Sequence, residues 1–185
     1  ITVDNFLSYV ADDSYHNSII HRSVPNFVVQ GGGFSAPATA ADQPGSEPQA
    51  ILTRGTILNE PGNLNNRGTI AMAKSGGQTD SATSQFFFNI SNNSFLDSDN
   101  GGYTAFGEVL GSGMTVVDTL ASASSYDAAT YYSNSALSDL PLWNVNADNI
   151  VRPSDFVTIT SIDVAHESDL LVYSAVSSDQ TIISV

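Results

Sequence analysis

The sequence predicts a mainly β domain with two helices, and three observations lead there. Apolar or alternating runs at 24–30, 69–73, 84–90 and 156–164 have the length of strands. Only two segments, 2–10 and 114–121, set apolar residues at helical spacing. The 185 residues are enough for one domain with a sizeable core and few for two.

Residues 2–10 read as an amphipathic helix, with Thr2 as its N-cap and Phe6, Leu7 and Val10 on one face. The run from His21 to Phe34 then sets an arginine, an aromatic and a glutamine along a short apolar stretch ending in Gly31-Gly32-Gly33. Alternation through Val24, Asn26, Val28 and Gln30 predicts one strand, with Arg22, Val24, Val28 and Gln30 facing one way. That face is an apolar platform with a cation at one end and an amide at the other. A guanidinium is costly to bury unless something accepts its hydrogen bonds. The plainest reading is therefore a strand-end arginine paired with a surface carboxylate.

Residues 35–48, rich in Ala, Pro and Gly, read as a surface loop, and 51–58 as a short strand or ordered insert. Residues 62–67 are a turn-rich lead into the strand 69–73, and 84–90 form an apolar strand. Phe86, Phe87 and Phe88 alternate, so they cannot all line one pocket; Phe86 and Phe88 belong in the core, as does Met72. The second helix, 114–121, follows the turn Gly111-Ser112-Gly113. Residues 122–153 are polar and read as a long surface excursion with Trp143 as a buried aromatic anchor. Residues 156–164 alternate as a closing strand. Two β-rich runs around Ser177-Ser178-Asp179 then signal a C-terminal hairpin.

Composition narrows the functional classes. Five Lys and Arg stand against 19 Asp and Glu, a formal charge of −14. Such a polyanion repels nucleic acid and anionic headgroups, so neither is expected as a partner. No apolar run approaches the roughly 18 residues that span a bilayer, so no membrane insertion is expected. Cysteine is absent, which removes disulfides, thiolate nucleophiles and thiolate zinc sites. His16, His21 and His166 are scattered without carboxylates at ligand spacing, so no metal is expected. Asp97-Ser98-Asp99-Asn100-Gly101-Gly102 with Glu108 mimics a calcium loop, yet Gly101 takes a ligand position and strand follows where a helix is needed. It reads as an acidic turn. Strong acidity with few lysines suits a periplasmic or secreted protein of a salty habitat, and an acidic cytoplasmic protein also fits.

Four blocks carry a family likeness: the run 21–34, then Gly68-Thr69-Ile70-Ala71-Met72-Ala73-Lys74, then Ser84-Gln85-Phe86-Phe87-Phe88-Asn89-Ile90, and last Phe95-Leu96-Asp97 with Tyr103-Thr104-Ala105-Phe106-Gly107-Glu108-Val109. Together they resemble the cyclophilins, the peptidyl-prolyl cis-trans isomerases that also bind cyclosporin. The resemblance runs from about residue 2 to 164 in the family's order. Residues 80–87, with the Phe95 and Tyr103 choices, are most similar to its bacterial, often periplasmic, branch. It implies a single domain over 1–185, family-like over 1–164, built as a closed eight-stranded antiparallel β-barrel capped by two helices. Cyclophilins open with a β-hairpin before the first helix, whereas these residues begin at the helix. Two readings follow for 165–185: a hairpin that takes the missing one's place, as in a circular permutation, or an extension of a chain lacking its N-terminus.

The resemblance also implies an activity, rotation about X-Pro bonds, which needs no nucleophile, metal or cofactor. It assigns catalysis to Arg22, Phe27, Gln30, Phe87 and Leu96. It assigns peptide binding to Val28, Phe95, Tyr103 and the backbone around Ala73, Lys74 and Ser75. Gln30 would bond the substrate and help hold Arg22. The family often has Met at Val28, Trp at Phe95 and His at Tyr103. The Trp donates its indole N–H to cyclosporin, so weakened cyclosporin binding is expected here. Two classes stay open: an isomerase acting on X-Pro segments of unfolded or flexible proteins, and a proline-peptide binding module with little turnover. A cation over the amide favours the first.

Overall fold

The computed structural model describes residues 1–37, 47–145 and 151–164, and the backbone of 174–176 and 182–184. In chain order the elements are α1 (Thr2–Ala11), β1 (Ser18–Ile19), β2 (Arg22–Val24), β3 (Val28–Gly31), β4 (Phe34–Ser35) and β5 (Gln49–Ala50). There follow β6 (Thr69–Met72), β7 (Phe86–Asn89), β8 (Ala105–Glu108), α2 (Gly113–Ala121), β9 (Ser124–Tyr126) and β10 (Leu140–Leu142). Last come β11 (Thr158–Ile159), β12 (Ile162–Asp163), β13 (Ser174–Val176) and β14 (Ile182–Ser184). The fold is mainly β with two helices, as the sequence predicts. The described strands form four sheets, ordered β2-β3-β7-β6-β8, β11-β1-β4-β5, β9-β10 and β12-β13-β14, and none of them closes on itself.

The five-stranded sheet carries the site. The expected single strand through 24–30 is instead a hairpin. Pro25 supplies the first corner of a β-turn and Asn26, at φ 58°, the second, with the Phe27 N–H donating to the Val24 carbonyl at 3.1 Å. Arg22 thereby pairs with Gln30, and Val24 with Val28. Residues directly opposite in a ladder share a face, so the four expected to face together still do, through a turn rather than along one strand. Beyond β3 the chain must pass tightly beneath β7. Gly32 sits at φ +74°, where a Cβ would lie 2.7 Å from the Ser84 carbonyl oxygen and 2.9 Å from the Phe86 ring. Only glycine fits both the torsion and the space.

Phe86 and Phe88 turn into the main core with Phe6, Tyr9, Tyr15, Val29, Val117 and Leu120, and Met72 is buried too. Both helices cover this core. Thr2 is not the N-cap of α1; that position is Ile1. Instead the Glu60 carboxylate accepts from the Thr2 N–H at 2.8 Å and hydroxyl at 2.7 Å. An acidic group from elsewhere in the chain thus serves the positive end of the helix.

The excursion at 122–153 departs from expectation. Its β9 and β10 pair, and Leu137, Leu140, Leu142 and Tyr132 form a second core with Ile19, Phe34 and Phe156. Leucines rather than Trp143 anchor it; Trp143 is half-buried and packs toward the main core. The polar composition hid this because the apolar residues are few and well spaced. The closing strand breaks into β11 and β12, with Phe156 in an isolated bridge to Leu142. At 51–58 the chain is extended without strand pairing except the bridge from Ile57 to Ala82. β13 and β14 pair with each other and β13 pairs with β12, all antiparallel. The expected turn at 177–179 and His166 lie outside the described residues, as do 38–46 of the 35–48 loop.

Candidate active site

β2, β3, β7 and the segments that follow β6 and β7 enclose a cleft of about 250 Å³. It is lined by Arg22, Phe27, Val28, Gln30, Ala73, Lys74, Phe87, Phe95, Leu96, Asp99 and Tyr103. Four blocks far apart in sequence converge there. Val28, Ala71, Phe87, Leu96 and Ala105 form a small apolar cluster of their own, with Phe27, Ala73 and Tyr103 packed against it. Val28, Phe87 and Leu96 are buried, while Phe95 is 56% exposed at the rim. The Phe27 and Phe95 rings stack at 5.5 Å, and Phe87 meets Tyr103 edge-on at 5.9 Å. The result is a greasy slot with an open aromatic lip.

Arg22 stands at the charged end. Its Nε donates to Asp139 Oδ2 at 3.3 Å, and the guanidinium carbon lies 5.8 Å from the Phe27 ring centre. The plain reading of a strand-end arginine is met, since a carboxylate does pair with it, and the side chain still lines the cleft. Gln30 does not hold Arg22: its Nε2 donates to Gln85 Oε1 at 2.8 Å. Asp139 takes that place, from a residue 117 positions away that sequence reasoning missed. Nothing in a lone aspartate within a polar excursion signals such a role.

At the other end Lys74 donates to the Asn100 and Gly102 carbonyls at 2.8 and 2.7 Å, with its ammonium 4.7 Å from the Tyr103 ring centre. Burial lowers its pKa, and Asp80 and Asp99 act against that. The acidic turn is thus gripped by this chain's own ammonium. Ser75 corrects an expectation. Its N–H donates to Ser81 Oγ at 2.8 Å and its carbonyl accepts from Asn100 Nδ2 at 3.0 Å, so its backbone is spent within the loop and it does not line the cleft. Asp99 does line it and was not anticipated. Among the described residues no group of three His, Asp or Glu could hold a metal ion.

Three buried asparagines brace the slot from behind. Asn93 Nδ2 donates to the Phe27 carbonyl at 2.9 Å and to Asn89 Oδ1 at 2.7 Å. Asn89 Nδ2 donates to Thr69 Oγ1 at 2.9 Å and to Asn65 Oδ1 at 3.2 Å. Asn65 donates through both its backbone N–H and Nδ2 to Asp97 Oδ1, at 2.8 and 3.0 Å, and through Nδ2 to the Tyr103 carbonyl at 3.1 Å. The backbones of Phe27 and Tyr103 are thus held by one polar chain. Asn89 had a legible signal, being a polar residue closing a wholly apolar strand on the face of Phe87.

A mainly β domain with two helices and this cleft is cyclophilin-like in architecture, and comparison with known proteins agrees. Residues 1–140 match the family model described as cyclophilin type peptidyl-prolyl cis-trans isomerase/CLD. The chain is 42% identical over 125 residues to a peptidyl-prolyl cis-trans isomerase of Acinetobacter baylyi, covering 65% of this chain and 60% of that protein. It is 39% identical over 135 residues to peptidyl-prolyl cis-trans isomerase A of Dickeya dadantii, covering 71% and 65%. With peptidyl-prolyl cis-trans isomerase B of Escherichia coli it shares 43% over 126 residues, covering 64% and 70%. A crystal structure of a Cryptosporidium parvum cyclophilin type isomerase, obtained in the presence of the dipeptide Ala-Pro, superimposes with a TM-score of 0.51 at 26% identity, covering 68% of this chain and 73% of that one. The chain spans about three fifths to two thirds of the first two relatives' length. It belongs to the cyclophilin type peptidyl-prolyl cis-trans isomerase family.

Proposed function

We propose that the chain catalyses cis-trans rotation about X-Pro bonds in unfolded or flexible protein segments and so assists their folding. The barrier to rotation, about 18–20 kcal/mol, arises because twisting the amide destroys its resonance. In the twisted state the prolyl nitrogen is pyramidal and carries a localised lone pair. A site that binds that state better than either planar one accelerates rotation without making or breaking a bond. Arg22 is the donor to the twisted amide. Val28, Phe87 and Leu96 hold the proline ring so that the preceding carbonyl turns, with Phe27 as wall and Gln30 toward the peptide. Ala73, Lys74, Phe95 and Tyr103 receive the flanking chain.

The observation that carries this reading is the placing of the Arg22 guanidinium on the wall of the same cleft as those apolar side chains. One charge-assisted hydrogen bond is worth about 1.5–3 kcal/mol, and each tenfold in rate needs about 1.4 kcal/mol. Arg22 therefore accounts for roughly one to two decades, and the slot for the rest.

A protease-coupled assay on an X-Pro peptide tests it. Wild type is expected to be fast and Arg22→Ala about 10- to 100-fold slower. Both proteins at the uncatalysed rate would leave only a proline-peptide binding module. In the same assay cyclosporin is expected to inhibit weakly, and Phe95→Trp, which restores an N–H donor at the lip, to strengthen inhibition; equal inhibition of the two would remove Phe95 as the cause.

The reading extends to the fold and the setting. The pairing of β13 with β12, and of β14 with β13, supports a C-terminal hairpin that completes a closed barrel. The acidic composition supports a periplasmic or secreted location, which cell fractionation tests.

A further inference from the structure

We infer that Asp139 is the positioning residue of Arg22, which makes the excursion at 122–145 a working part of the site. This rests on the function proposed above. Arg22 lies on β2, the edge strand of its sheet, and the excursion covers that edge. The Ser23 N–H donates to the Asp139 carbonyl at 2.9 Å, and Ser125 Oγ donates to the Ser23 carbonyl at 2.8 Å. The excursion reaches across as a firm body, because Leu137, Leu140 and Leu142 are buried in their own core. Asp139 sits between Leu137 and β10, where it has little room to drift.

The chemistry of the contact suits orientation. Arginine carries five donors in a planar fork on a flexible stem. Asp139 Oδ2 engages Nε at 3.3 Å and also lies 3.4 Å from Ser138 Oγ. A grip on Nε fixes the plane of the guanidinium and leaves its two terminal nitrogens for a ligand. No other side chain among the described residues hydrogen-bonds the fork, since Gln30 turns to Gln85. Without Asp139, the arginine would have to be ordered anew in each turnover. That cost falls on the transition state, which needs the cation at one place beside the rotating amide.

Backbone and side chain of Asp139 do different work, and this separates positioning from stability. The carbonyl joins the excursion to β2; the carboxylate alone touches Arg22. Asp139→Asn therefore keeps the strand contact. We expect it to lower kcat/KM about tenfold, chiefly in kcat, the scale on which a displaced catalytic group is felt. The melting temperature should stay near wild type, and Asp139→Glu should recover most of the loss. Asp118→Asn, which frees Arg67 from the exposed pair at 2.7 Å, should leave the rate unchanged.

The deciding comparison is Asp139→Asn in an Arg22→Ala background, where no further loss is expected. An equal loss in both backgrounds, or no loss in either, overturns the inference. A second arm does not depend on turnover. The 15N–1H resonance of Arg22 Nε should be protected from solvent exchange in wild type and exposed in Asp139→Asn. An unchanged resonance overturns the positioning role even if the chain proves to be no isomerase, while an inert wild type with the expected resonance change overturns only the function.

Discussion

His21 shows how much a single buried side chain can set. It is almost fully buried, edge-on to Phe34 at 5.1 Å, and lies against Gln85 and the Ile19 carbonyl without a well-formed hydrogen bond at either ring nitrogen. Burial is the main cause that pushes its pKa down to about 4, with the neighbouring Arg22 charge acting in the same direction. The unfolded chain takes up this proton near pH 6.5, the folded chain only near 4. Stability is therefore whole above pH 6.5 and falls as pH drops through that window, by roughly 3 kcal/mol at its lower end. Urea unfolding from pH 7 to 4 should show this step in wild type and lack it in His21→Leu. A step of the same size in the variant would assign it to the carboxylates instead. The same residue scale holds the plainest gap in sequence reasoning. Arg22 was legible from its apolar setting, but its partner Asp139 lies in a segment with no pattern to point at it.

The elements were legible where periodicity was strong. α1, α2, β6 and β7 stand where apolar spacing put them, and Phe86 and Phe88 turned inward as strict alternation requires. The β2–β3 hairpin was read as one strand because its turn, Pro25-Asn26, is too short to interrupt a period of two. The face survived the error, because a tight antiparallel turn returns opposite residues to one side. Less legible was the asparagine brace. Asn65, Asn89 and Asn93 come from three segments, and a buried polar chain leaves little trace in hydropathy. Its weight can be measured. Asn89→Leu strips partners from Asn65, Asn93 and Thr69, and each buried polar group left unpaired costs about 1–3 kcal/mol. A loss of about 2–4 kcal/mol in chemical unfolding is expected, with a weaker Phe27 wall. A loss under about 0.5 kcal/mol would show that water replaces the amide at little cost.

On the scale of the whole molecule, three apolar clusters among the described residues divide the labour. One binds the helices to the large sheet, one anchors the excursion, and the smallest floors the cleft. Arg22, Arg54 and Arg67 pair with Asp139, Asp12 and Asp118, which leaves the net −14 to act as a long-range field. The C-terminal hairpin bears on integrity at this scale. If β13 and β14 complete the barrel beside β12, removing 165–185 should lower Tm by about 5–10 °C, as a loss of about 2–3 kcal/mol does for a domain of this size. An unchanged Tm would mark the segment as an appendage.

The grip of Asp139 on Arg22 also has a bearing on birth order. The ribosome makes the cation first and its clamp 117 residues later. At 5–20 residues per second that interval is roughly ten seconds. A nascent chain thus already carries the cation, the slot and the lip while the last part needed to aim them is still unmade.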